Sequence, residues 1–118
     1  MITAASPNRG EIWLVRFDPS IGDEINKSRP AVVVSSLALV KLRLRIVVPI
    51  TGWQPQFSKI PWHYPLKSGA NTGLDKDSAA DALQVKSVSL DRFIKKIGCV
   101  TAADLEEISA AIQMLIEG

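Results

Sequence analysis

Apolar and polar positions alternate with a period of two through much of the first half of the chain and take up three- and four-residue spacing only near its end. Gly10 to Phe17 (GEIWLVRF) is rich in β-branched and aromatic residues and stops at Asp18-Pro19, which predicts a first strand. Alternation sets Trp13, Val15 and Phe17 on one face and Ile12, Leu14 and Arg16 on the other. Both faces carry apolar groups, as in a strand enclosed by a barrel or an interface. Pro30 opens a second strand, Ala31 to Ser36, since the first residue of a strand can lack a ladder donor. Arg43 to Thr51 alternates most cleanly, with Leu44, Ile46, Val48 and Ile50 opposed to Arg43, Arg45, Val47, Pro49 and Thr51. If the first set is core, Thr51 shares its face with two arginines. Pro49 marks a bend or a loss of pairing near the strand's end.

Leu37 to Leu42 fits either a helical turn or a bent connection. Ile60 to Leu66 predicts a further strand, Ala79 to Val88 one or two short strands, Ser89 to Phe93 a helical turn, and Lys95 to Val100 the last strand. Beyond it Thr101 can cap a helix, with Asp104 three residues on as a short-armed capping box. Leu105, Ile108, Ile112 and Leu115 form that helix's apolar stripe. A run of short strands and one terminal helix predicts a mostly β (α+β) fold, a small antiparallel barrel with a C-terminal helix. It is not a βαβ pattern. A chain of 118 residues fits a single domain over 1–118, with 1–8 expected to be frayed.

Composition narrows the chemistry. No apolar run reaches a membrane span and the first nine residues lack a secretory signal, so a cytoplasmic protein is expected. One cysteine, Cys99, allows no internal disulfide, and one histidine, His63, leaves little to hold zinc, so neither metal nor cofactor is expected. Phosphate-binding glycine loops and the G-x-S-x-G nucleophile elbow are absent. The net charge of +2 is too small by itself to indicate a polyanion partner. Placement says more: Lys27, Arg29, Lys41, Arg43 and Arg45 lie close together, while much of the acidic charge comes later. That predicts a positive surface around the early strands, or else a solvated face of mixed charge.

The connection Pro19 to Ser28 is longer than most and highly charged, which favours a functional loop. It leads into G-D-E-I-N-K-S-R-P-A-V-V-V, and the next strand ends on V-P-I-T. These blocks, with RGEIWLVRFDP before them, SAADALQVKSV after them and the terminal helix, resemble the MazF/PemK toxin family in order and spacing from Arg9 onward. The resemblance implies an SH3-like barrel with a C-terminal helix. It also implies a homodimeric, metal-independent endoribonuclease that cuts single-stranded RNA and is neutralised by a cognate antitoxin. Carried over by motif, the catalytic arginine falls on Arg29 and the catalytic threonine on Thr51. The glutamine of the later block falls on Gln84, near the RNA path. Asp81 departs from the pattern, in which Asp and Gln are adjacent.

Metal-free RNA cleavage is most simply done by the 2′-hydroxyl attacking its own phosphate, and a guanidinium suits the oxygens of that phosphate. Around Arg29 and Thr51, Glu24, Lys27, Arg45, Trp53 and Gln84 are candidate RNA contacts: Trp53 by stacking on a base, Lys27 and Arg45 by touching flanking phosphates, and Glu24 by orienting Lys27 or Arg29. Competing readings are a gyrase-poisoning toxin of the CcdB type, which would not need Arg29, and an RNA-binding module that does not cleave. Imidazole is a common acid–base group, but no motif places His63 in the chemistry.

Overall fold

The computed structural model describes residues 6–117. Seven strands precede one helix: β1 (Glu11–Arg16), β2 (Ser28–Val33), β3 (Leu44–Gly52), β4 (His63–Leu66), β5 (Ser78–Asp81), β6 (Lys86–Ser89), β7 (Phe93–Cys99) and α1 (Ala102–Glu117). All pairings are antiparallel, in the order β4-β5-β3-β2-β1-β7, with β6 also on β3. The long strand β3 organises the sheet. One edge pairs with β2, while the other is shared, with β6 along Leu44–Val47 and β5 along Ile50–Gly52.

Both prolines of these strands sit where a donor is not needed. Pro49 lies at the handover between the β6 and β5 ladders. Pro30 falls inside β2 rather than ahead of it, since the strand starts at Ser28. Val34 N donates to Ile46 O at 2.9 Å, and hydrogen-bonded pairs alternate along an antiparallel ladder. Pro30 therefore turns its missing N–H toward β3, and the β2–β3 pairing ends at Ala31 opposite Pro49.

The expected barrel is present as a curled sheet that does not close, for no ladder joins β4 to β7 among the described residues. The connection between β4 and β5 fills that seam: Cys99 N donates to Asn71 O at 2.9 Å. A Cβ at Gly98 would meet Thr72 O at 2.4 Å, so only glycine allows this approach.

Two apolar clusters flank the central strands. Ile12, Val32, Val48 and Ile50 pack with Leu66 and Ile108 of α1 on one face; Val15, Ala31, Val33 and Val47 pack with Phe17, Val88 and Phe93 on the other. The face expected to be core along β3 is therefore core only over its second half. Leu44 and Ile46 are exposed, and Val47 and Pro49 of the opposite face are buried. At the N-terminus, Pro7 is fully buried and Asn8 N donates to Glu11 Oε1, so the expected fraying does not reach these two residues. Positions 1–5 lie outside the described residues. The terminal helix is capped as its sequence predicts: Asp104 N donates to Thr101 Oγ1 at 3.0 Å and Thr101 N to Asp104 Oδ2 at 3.2 Å.

Candidate active site

Sheet register builds the site. Carried two residues past the Ala31–Pro49 pair, the β2–β3 register sets Arg29 across from Thr51 where the ladder has already ended. Arg29 pairs with Val15 on β1, Thr51 with Ala79 on β5, and Ala79 with Pro65 on β4. These residues make one row on one face of the sheet. The next row outward carries Trp53, whose N–H donates to Asp77 O at 3.0 Å, with Lys67 beyond it by the same register. The row inward ends on Asp81 paired with His63.

Arg29 is half-buried, with Nε donating to Asn26 O at 3.1 Å and Nη2 to Asn26 Oδ1 at 3.4 Å. One end of the guanidinium is held by its own loop and Nη1 is left over. Lys27 stands in the left-handed region, with φ 63°, a conformation costing a lysine about 1 kcal/mol or more. Its carbonyl accepts from Phe17 N at 2.8 Å, so the turn is locked where the chain enters β2. Thr51 is half-buried, and its hydroxyl has no hydrogen-bond partner among the described residues.

Three candidate RNA contacts are employed otherwise. Arg45 is 3% exposed. Its guanidinium donates to Pro7 O at 2.9 Å, Val40 O at 3.1 Å, Leu42 O at 2.8 Å and Leu44 O at 2.9 Å. It ties the N-terminal segment and the β2–β3 connection to the sheet, with four of its five N–H donors taken and the side chain buried away from any phosphate. Gln84 accepts from Ile25 N at 3.1 Å and donates to Asp23 O at 3.0 Å, so both ends of its amide pin the charged loop. Glu24 accepts from Ile21 N at 2.8 Å and touches neither Lys27 nor Arg29. The expected positive surface is correspondingly thinner, since Arg43 also pairs with Asp91 at 2.7 Å.

Trp53 packs edge-on against Phe57, ring centroids 5.7 Å apart, and lines a cavity of about 250 Å³ with Pro65, Lys67 and Asp77. Hydrogen bonds from the backbone and hydroxyl of Ser68 hold the Asp77 carboxyl below its ordinary range. Lys76 did not stand out in the sequence. A Cβ built on Gly52 would meet its Cε at 2.9 Å and its Nζ at 3.0 Å, so the ammonium lies over the residue after Thr51. Gly52 next to the hydroxyl-bearing strand end was the available signal, but only the fold shows what the missing side chain makes room for.

Comparison with known proteins points the same way. Residues 8–116 match the family described as PemK-like, MazF-like toxin of type II toxin–antitoxin system. The chain is 38% identical over 112 residues to the endoribonuclease MazF9 of Mycobacterium tuberculosis, covering 92% of this chain and 95% of that one. Among solved structures, MazF of Deinococcus radiodurans superposes with a TM-score of 0.81 at 21% identity, over 97% of this chain and 99% of that one. An endoribonuclease from a mycobacterial species, in complex with its cognate antitoxin, superposes with a TM-score of 0.71 at 18% identity, over 94% and 95%.

Proposed function

The chain belongs to the PemK-like, MazF-like toxins of type II toxin–antitoxin systems and is an endoribonuclease, and from that premise we propose that it cleaves single-stranded RNA without a metal, at Arg29 and Thr51. What supports this assignment is the register that faces Arg29 toward Thr51 beyond the last β2–β3 pair, with guanidinium and hydroxyl donors still available.

In the proposed step the 2′-oxygen bonds to phosphorus as its proton passes to water. The P–O5′ bond breaks with its electron pair on O5′, which takes a proton from water. The products are a 2′,3′-cyclic phosphate and a 5′-hydroxyl. Arg29, whose guanidinium stays charged, stabilises the negative charge that builds on the non-bridging oxygens rather than removing a proton. Thr51 donates to one of those oxygens and holds the attacking group in line. Lys27 and Lys76 meet flanking phosphates, which makes binding salt-dependent. Trp53 stacks on a base. Glu24 and Gln84 serve by shaping the loop that carries Arg29.

A homodimer and a cognate antitoxin are proposed as partners, the second because a related structure contains one. Work on RNA in the cytoplasm agrees with the lack, among the described residues, of any helix long and apolar enough to cross a membrane. The test is incubation with mixed single-stranded RNA in EDTA and mapping of the new ends. Cyclic-phosphate ends should fall about a hundredfold or more in Arg29→Ala, and about ten- to a hundredfold in Thr51→Ala. Intact RNA at high protein concentration, or cleavage that chelation abolishes, overturns the proposal.

A further inference from the structure

Beside the Arg29–Thr51 row the sheet carries a second constellation that family membership does not explain. His63 and Asp81 pair across β4 and β5, with Nε2 3.6 Å from Oδ2. The His63 side chain is 9% exposed, and its Nδ1 is buried without a partner among the described residues. Phe57, from the turn Pro55–Lys59, lies flat on the imidazole with centroids 4.1 Å apart and 21° between planes. The edge of that stack reaches Trp53 at 5.7 Å and 89°. A continuous series of contacts therefore runs from Asp81 through His63 and Phe57 to Trp53, and Trp53 is one wall of the 250 Å³ cavity.

We propose that this cavity is a subsite for one unpaired RNA base next to the scissile phosphate, and that His63, set beside Asp81, is the positioning residue that holds its aromatic wall. The inference rests on the cleavage assignment above. Three observations make the cavity suited to a base. Trp53 is two residues beyond Thr51 on the same strand side, so a nucleotide whose phosphate meets Thr51 brings a neighbouring base within its reach. An aromatic face accepts any base by stacking. The rim also carries a donor and an acceptor for the base edge. Lys67 Nζ stands 3.8 Å from Asp77 Oδ2, and Ser68 occupies only the other carboxylate oxygen, Oδ1. Without His63, Phe57 loses the ring it stacks on, and its edge contact with Trp53 loses its backing.

The experiment begins by mapping the cleavage site of the wild-type chain, then uses a short RNA spanning it and the same RNA with an abasic residue at each flanking position. One abasic position should raise KM about five- to a hundredfold with kcat changed less than about threefold. Trp53→Ala and His63→Ala should raise KM on the intact RNA to a similar degree, and neither should be penalised further by that abasic position. His63→Phe keeps the stack but not the polar contact with Asp81, and should recover part of the loss. That recovery, together with thermal melting of each variant, separates lost positioning from misfolding. A KM penalty that adds in full when His63→Ala meets the abasic position, or a loss confined to kcat, overturns the proposal. So does wild-type cleavage indifferent to every abasic substitution. A wild-type chain that leaves RNA uncut removes the cleavage assignment and this subsite together, whereas cleavage with no base dependence removes the subsite alone.

Discussion

Arg45 shows how one side chain can answer a sequence pattern in two ways. Alternation along β3 puts it on the face shared by Val47 and Thr51, and that assignment agrees with the observed register against Val88. Alternation does not say what lies above that face. Here it is Pro7 and the turn after β2, which with Leu44 at the start of β3 offer four carbonyl oxygens to a planar group with several fixed donors. Arg45→Ala leaves these acceptors unpaired where water has poor access, at about 1–3 kcal/mol for each fully buried one. A loss of about 3–5 kcal/mol in urea unfolding is expected. Arg45→Lys should recover only part, since one ammonium cannot span the four carbonyls. A variant as stable as wild type but defective in RNA binding would restore Arg45 to the RNA surface. Arg29 was legible for the opposite reason: a motif singled it out, and the strand register sets it across from Thr51. Gln84 was legible as near the site but not as a loop anchor, because its partners Asp23 and Ile25 lie some sixty residues away in sequence.

At the level of elements, periodicity identified the terminal helix, its cap and the early strands. It did not identify the interruptions that decide geometry. The two prolines of β2 and β3 gave no register by themselves, and they mark the ends of ladders only once the partners of β3 are known. Docking of α1 on β4 was equally silent in the sequence. Tyr64 Oη donates to Asp104 Oδ1 at 2.7 Å, and the same carboxylate caps the helix. Burial pushes the Asp104 carboxyl up, but the bonds from Tyr64 and Thr101 outweigh it and hold the group below its usual 3.8. The hydrogen bond to Asp104, together with burial, pushes Tyr64 from 10.0 up to about 12. A depressed carboxyl contributes stability above its unfolded value, lost as pH falls through the folded one. A raised phenol contributes stability below pH 10, lost as pH rises through about 12. Tyr64→Phe should therefore cost about 1 kcal/mol at pH 7 after allowance for solvent screening. The gap from wild type should narrow below the carboxylate range and again above pH 12. Urea unfolding across that range checks it, and a gap independent of pH would separate the tyrosine from helix docking.

For the whole molecule, β3 places two kinds of surface at its two ends. Thr51 and Gly52 close one end, beside Arg29 and Lys76. The other end begins an apolar patch: Leu44 is 49% and Ile46 36% exposed, and the preceding turn adds Leu37 at 63%, Val40 at 42% and Leu42 at 53%. These residues are near one another in sequence and leave the core where α1 and β5 no longer cover the sheet. A concentration of exposed aliphatic groups of this kind marks an interaction surface, and a second copy of the chain is the occupant that the proposed homodimer requires. Because the patch and the Arg29–Thr51 row lie at opposite ends of one strand, they can be separated by mutation. Leu44→Glu should give a monomer in sedimentation at micromolar concentration while thermal unfolding stays within a few degrees of wild type. If RNA crosses both copies, cleavage by that monomer falls about tenfold or more, with the loss mainly in KM because the Arg29–Thr51 row is untouched. A wild-type chain that sediments as a monomer, or a Leu44→Glu chain that remains a dimer, rules out this patch as the contact between copies.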